Sequence, residues 1–331
     1  MTKFAMRRSV SLTFKGAQSG LCGSHAQHAT RISQRLASIQ YDVLFAPMGA
    51  TWIAFLNIDK PIVYMSDATF RLINGYYDPA YSLTGKDFAE RDEIEQRALE
   101  RASVVVVTSN WAARSVINDY SINPDKVRVI FSGPNLSAPP ARESLESVPD
   151  LNEYRFLMVG RSWWRKGGDI GLEAIDAVVE KGHKAHLTIC GMAPPGPYNQ
   201  SLVTVIPHLD KSHTDDYMTL CNLYRESHFL LFPSRAECHG LSMNEANAFG
   251  VPVLANTTGG IPDYITPDVN GYLFSHEARG SMYADKALEV LSDRHRYEKL
   301  RKATRDEYEG RLNWSVWARS INRELSLLLG S

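Results

Sequence analysis

Short runs of aliphatic and β-branched residues alternate with stretches of helical period along almost the whole chain. In the first half, Asp42–Ala46, Ile62–Met65, Val104–Thr108 and Val127–Phe131 are predicted strands, and Gln27–Ile39, Arg91–Arg101 and Trp111–Tyr120 predicted helices. The second half repeats the rhythm, with strands at Arg155–Val159, His186–Cys190, Val203–Ile206, Phe229–Phe232 and Pro252–Ala255. Helices are predicted near Asp169–Lys181, Asp215–Glu226, Leu241–Phe249 and Ser281–Ser292. Strands that are apolar without alternation are buried on both faces, and the helices between them are the crossovers that parallel strands need. The pattern predicts two α/β sheets.

The segment Gly133–Asp150 is rich in Pro and Ser and carries no period, which is the chemistry of a linker. The expected domains are therefore 1–135 and 153–312, joined by a linker at 136–152. A final helix, 313–331, places Trp314, Trp317, Ile321 and Leu325 at helical spacing. Such a stripe has to be buried. It either finishes the second domain or, as expected here, crosses back to the first.

The length of 331 residues agrees with two domains. Lys and Arg number 36 against 37 Asp and Glu, a balance that argues against a general nucleic-acid binder. No apolar run approaches the roughly 18 residues of a membrane span. Cys22, Cys190, Cys221 and Cys238 are widely spaced, without a C-x-x-C pair, and read as reduced thiols of a cytoplasmic protein. His183 and His186 bracket a turn into a strand with no third ligand in reach, so no metal site is expected. From Met1 to Tyr41 the only charges are the basic Lys3, Arg7, Arg8, Lys15, Arg31 and Arg35. This is a solvated basic face, a transit-type segment, or a patch for peripheral contact with anionic lipid at the inner membrane face.

Two clusters carry candidate chemistry. The first, Gly160–Gly168 (GRSWWRKGG), follows a predicted strand and opens a helix. In open α/β sheets ligands sit beyond the carboxyl ends of strands, and Arg161 with Lys166 would suit a phosphate or diphosphate there. A solvated basic loop is the plain alternative. The second cluster runs from Phe232 to Ile265, with Glu237 at a strand end and Glu245 eight residues later in a short helix. Gly240 precedes that helix, leaving the amides of Leu241 and Ser242 free for an anion. Glu245 can accept from ribose hydroxyls; capping by Glu237 and an ordinary polar helix position for Glu245 are the alternatives.

Together the clusters resemble the retaining glycosyltransferases of family 4, which have the GT-B fold of two facing Rossmann-like domains with parallel sheets. The resemblance rests on Gly160-Arg161 with Lys166-Gly167, on Glu237-x7-Glu245, on Gly250-x-Pro252-Val253, on Gly259-Gly260-Ile261-Pro262 and on Asn270-Gly271, all in the family's order. It implies that Arg161 and Lys166, with Gly240 and the amides of Leu241 and Ser242, hold the diphosphate of a nucleotide-sugar donor, UDP- or GDP-linked. It implies Glu245 at the ribose, Glu237 at hydroxyls of the transferred sugar, and the base near His208 and Leu209. Family members need no metal or other cofactor, and cleft closure excludes water during transfer.

The first domain would serve the acceptor, a carbohydrate, a lipid-linked sugar or a small molecule. Where the family often carries a His, this chain has Ser66, Asp67 and Thr69, and a bacterial branch shares its D-A-T-F stretch, the pair Tyr76-Tyr77 and Ser109-Asn110-Trp111-Ala112-Ala113. Asp67 would orient the acceptor hydroxyl or serve as a turn or cap residue. The family's opening strand, Gly-rich loop and helix are matched only by Val10–Phe14, Lys15-Gly16 and Ser19-Gly20, so the first domain reads as shortened, either a truncated product with an incomplete acceptor half or a reduced first domain. Three functions follow: a metal-independent hexosyltransferase, a nucleotide-sugar-binding protein without catalysis, and a nucleotide-sugar epimerase.

Overall fold

The computed structural model describes residues 9–11, 21–145 and 148–330. The basic Lys3, Arg7, Arg8 and Lys15, the pairs Lys15-Gly16 and Ser19-Gly20, and the end of the Val10–Phe14 run lie outside the described residues. The chain divides into two compact units, residues 1–131 with 318–331, and residues 132–317.

In the first unit the strands β1 (Ser9–Ser11), β2 (Val43–Pro47), β3 (Ile62–Ser66), β4 (Val104–Val107) and β5 (Val127–Val129) form one parallel sheet in chain order. The connections carry α1 (Leu21–Ala37), α2 (Ala50–Ile53), α3 (Phe70–Ile73), α4 (Gly85–Arg101) and α5 (Asn110–Asn118). The four valines of β4 are all buried, as expected for a stiff β-branched strand covered on both faces. Leu44, Ile53, Ile62, Ala98, Leu99 and Val105 belong to the core of this unit.

The second unit opens with β6 (Tyr154–Val159), α6 (Gly168–Glu180), β7 (Ala185–Cys190), β8 (Val203–Ile206), α7 (Thr214–Glu226) and β9 (Phe229–Phe232). It continues through α8 (Leu241–Ala248), β10 (Val253–Asn256), β11 (Gly271–Phe274), α9 (Gly280–Leu291) and α10 (Arg294–Arg311). Its six strands are parallel in the order β11-β10-β9-β6-β7-β8. The chain thus builds outward from β6 in one direction and then in the other. The carboxyl ends of the neighbours β6 and β9 flank the point of reversal, where open α/β sheets bind ligands.

The last helix, α11 (Trp314–Leu329), has residues 318 onward in the first unit, where Glu324 pairs with Arg128 at 2.7 Å. Residues 133–150 were read as a linker, yet much of the segment is held to α10. Arg142 pairs with Asp306 and Glu309, and Arg305 donates to Pro140 O at 3.1 Å. The one-turn helices α2 and α3 escaped sequence reading, and so did two larger elements, β11 and α10. The strand β11 is four residues beginning in Gly271, and the 18-residue α10 has no aliphatic stripe. Its buried face is Tyr297, Leu300, Arg301, Thr304, Arg305 and Tyr308, so rings and arginine stems do the work of leucines. Among the described residues no helix is long and apolar enough to cross a membrane.

Candidate active site

The loop after β6 is the first half of the site. Gly160 N donates to Cys190 O at 3.0 Å, carrying the β6–β7 ladder one residue past the strands. The chain then turns on itself, with Lys166 N donating to Ser162 O and Gly168 N to Trp163 O. Gly167 closes the turn at φ 68°, and a Cβ there would lie 2.2 Å from Pro233 O. Only glycine satisfies both demands, and the loops following β6 and β9 are thereby pressed together.

That contact brings Lys166 to Glu237. Lys166 is 8 % exposed, its Nζ lies 4.3 Å from the centre of the Phe232 ring, and it donates to Glu237 Oε2. Arg165 Nη1 donates to the same oxygen at 3.1 Å and to Ala236 O at 3.0 Å. Two cations on one carboxylate leave the group positive. Burial pushes the Lys166 pKa down, and the charge of Glu237 opposes the shift. Arg161 is exposed at the start of the loop. Arg235 clamps Asp169 through two hydrogen bonds of 2.8 and 2.7 Å and lies 4.0 Å from the centre of the Trp164 ring.

The second half is α8. Gly240 starts it at φ 71°, where a Cβ would be 2.6 Å from Phe232 Cζ. The amides of Leu241 and Ser242 precede the first i to i−4 bond of the helix and form a positive end. Seven of the eight residues of α8 are buried, among them Asn244, Glu245 and Asn247. Glu245 is 2 % exposed, deeper than a solvated polar position on a helix. Lys211 Nζ donates to its Oε1 at 2.6 Å and Tyr224 OH to its Oε2 at 2.8 Å. Burial raises the Glu245 pKa, while Lys211 and Tyr224 pull it back toward the carboxylate form. Lys211 also reaches Asn135 O at 3.1 Å. It follows the exposed His208 and half-buried Leu209 by a few residues, so the segment after β8 runs beside Glu245.

In the first unit, Ser66 ends β3 buried, its Oγ donating to Ala68 O at 2.7 Å. Asp67 is half-buried beside it. Thr69, expected among the acceptor residues, is instead a structural cap. It is 1 % exposed, its Oγ1 is 2.6 Å from Ser115 Oγ, and it accepts from Leu72 N at the start of α3. The capping role weighed for Asp67 thus falls to Thr69. Met48, just past β2, adopts φ 52° and is 65 % exposed, a left-handed conformation uncommon for a side chain of this size.

Arg161, Lys166, Glu237, Gly240, Leu241, Ser242 and Glu245 all lie on two loops and one helix of the second unit. Sequence reading missed Arg165, Arg235, Lys211 and Tyr224. The first two adjoin residues already singled out, and their charge was a usable signal. Lys211 and Tyr224 reach Glu245 across 34 and 21 residues, which no local pattern marks. Among the described residues no group of three or more His, Cys, Asp and Glu is placed to hold a metal. His186 instead shares a 2.8 Å hydrogen bond with Thr204, and His183 stacks on Tyr154.

Residues 142–307 match the family described as glycosyl transferases group 1, and residues 13–138 match glycosyltransferase family 4. A D-inositol 3-phosphate glycosyltransferase of Gordonia bronchialis is 26 % identical over 248 residues, 69 % of this chain and 53 % of that protein. Spore coat protein SA of Bacillus subtilis is 23 % identical over 88 % of this chain and 79 % of its own. The chain spans about half the length of the first curated relatives it matches, between 50 % and 58 %. A glycosyltransferase from Rickettsia africae superposes with a TM-score of 0.68 at 18 % identity, over 95 % of this chain and 84 % of its own. Anabaena Alr3699/HepE in complex with UDP gives 0.69 at 17 % identity, over 92 % and 83 %. These likenesses establish the GT-B fold.

Proposed function

Because the chain belongs to the family 4 glycosyltransferases, we propose that it moves a sugar from a nucleotide-diphosphate donor to a hydroxyl acceptor, with retention at the anomeric carbon. The observation that carries this reading is the cationic cradle at the β6/β9 reversal point, with a buried carboxylate one turn into the helix beside it. A diphosphate leaving group gains negative charge as the glycosidic bond breaks, and preorganised donors at that position favour the transition state over the bound donor. Arg161, Lys166 and the amides of Leu241 and Ser242 are the donors. Lys166 exchanges Glu237 for phosphate oxygen, and the freed Glu237 accepts from hydroxyls of the transferred sugar. Glu245, held by Lys211 and Tyr224, accepts from the ribose, and the base lies along His208 and Leu209.

In the transfer, the acceptor oxygen bonds to the anomeric carbon as the bond from that carbon to the phosphate oxygen breaks. The departing phosphate oxygen takes the acceptor proton. The charge is met by side chains and amides, so the reading needs no metal and no cofactor. Ser66 and Asp67 are the acceptor-side candidates of the first unit. UDP-sugars are the first donors to try, since Anabaena Alr3699/HepE has been solved with UDP and with UDP-glucose; GDP-sugars come second.

Calorimetry with UDP, GDP and ADP tests the reading. One nucleotide should bind to the wild type, and Lys166→Ala and Glu245→Ala should each weaken it by about ten- to a hundredfold, about 1.4–2.7 kcal/mol. Unchanged affinity in both variants would overturn the site. Binding without transfer to any glycan, lipid-linked or small-molecule acceptor would favour a nucleotide-sugar-binding protein instead.

A further inference from the structure

At the other end of α8 the second unit holds a cavity of about 740 Å³. Its walls come from α10, from Gly250 just after α8, and from Arg142, Glu143, Leu145 and Val148. Arg305 on this wall donates to Ala248 O, the last residue of α8. The eight residues of α8 put about 12 Å between this end and the anion cradle at Gly240, so the two places are distinct.

The cavity is lined by five cations, Arg142, Arg294, Arg301, Lys302 and Arg305, against the carboxylates of Glu143 and Glu298. Arg142, Arg294 and Arg305 each hold a carboxylate. Arg301 and Lys302 pair with none among the described residues. Arg301 is only 5 % exposed, and its one hydrogen bond is a long one, 3.5 Å to Tyr297 OH. A buried guanidinium presents five donors in a rigid fork, and leaving them without an anion is costly. The volume is in the range of small-molecule sites, and Leu145 and Val148 supply an apolar side.

We infer that this cavity is a second anion site, taking a phosphate monoester whose phosphate meets Arg301 and Lys302 and whose carbon portion lies against Leu145 and Val148. A fork and an adjacent point charge match the two acceptor edges of a phosphate. The site is independent of the donor reading, because no residue is shared with it.

The test is calorimetry on the full chain with inorganic phosphate and with glycerol 3-phosphate, each with and without UDP. Both probes should bind in the presence of UDP. Lys302→Ala should weaken them about tenfold, and Arg301→Met should abolish binding while UDP affinity stays unchanged. Should Arg301→Met fail to fold, Lys302→Glu at the exposed position carries the test alone. Sedimentation with phosphatidic acid vesicles separates the sources. Cosedimentation lost in the same variants assigns a lipid headgroup, and binding of the free phosphates alone assigns a soluble ester. Displacement of phosphate by UDP, affinity unchanged in the Lys302 variants, or no binding to the wild type would overturn the site.

Discussion

Glu245 shows at the scale of one residue why a site can be half legible. Its spacing from Glu237 and its place after Gly240 stand in the sequence, because loop, glycine and helix are local. Its burial and its partners do not, since Lys211 arrives from the segment after β8 and Tyr224 from α7. A carboxylate 2 % exposed carries a desolvation cost that those partners only partly offset. Glu245→Gln removes the charge and keeps the shape, and Lys211, with its side chain 30 % exposed, can turn to water. The variant should lose nucleotide affinity while its unfolding free energy changes by less than about 1 kcal/mol. Chemical denaturation beside calorimetry checks this; a loss of several kcal/mol would make Glu245 a structural residue. Lys166 gives a pH signature. Its pKa is pushed down by burial, so its charge is lost at lower pH than an ordinary lysine's. Nucleotide affinity should fall in the alkaline range in the wild type and hold in Lys166→Arg, measured as affinity against pH. Parallel profiles would remove Lys166 from the diphosphate.

Elements were most legible where their buried faces are aliphatic. The strands β4, β8 and β9 are continuous runs of Val, Ile, Leu and Phe or close to it, and their positions follow from the residues. The helix α10 is buried through tyrosines and arginine stems, which on paper look like a solvated charged stretch. The crowding around Gly167 was equally invisible, because Pro233 approaches from the loop after a different strand. Gly167→Ala meets both the positive φ and the carbonyl 2.2 Å away. It should destabilise the second unit by about 2–4 kcal/mol and open the Lys166–Glu237 pair. Thermal unfolding reads the first effect and nucleotide affinity the second. A stable variant with normal affinity would mean that the two loops are free to separate.

On the scale of the whole chain, two parallel-sheet units were foreseeable from apolar runs alternating with helices, but the strand orders were not. Nothing local to β6 and β9 says that they are neighbours. The units also differ in what they bury. On α4 of the first unit, Glu95 accepts from Tyr64 OH at 3.1 Å, and burial pushes its pKa up to about 7. In the second unit, His228 is fully buried with Nδ1 accepting from Arg155 N at 2.9 Å, and burial pushes its pKa down to about 4. The signs are opposite. A carboxyl raised above its unfolded value gives stability that is complete below about pH 4.5 and lost as pH rises through about 7. An imidazole lowered below its unfolded value gives stability present above about pH 6.5 and lost as pH falls through about 4. Between about pH 5 and about pH 7.5 the first unit should therefore lose, and the second gain, about 2 kcal/mol from these groups. Hydrogen exchange read peptide by peptide should show protection in the Leu44, Leu99 and Val105 core declining over that range. Protection in the Phe156, Leu187 and Phe229 core should rise. Glu95→Gln should flatten the first trend and leave the second intact; if both cores move together in that variant, the two units are one cooperative body and the separate titrations do not govern them.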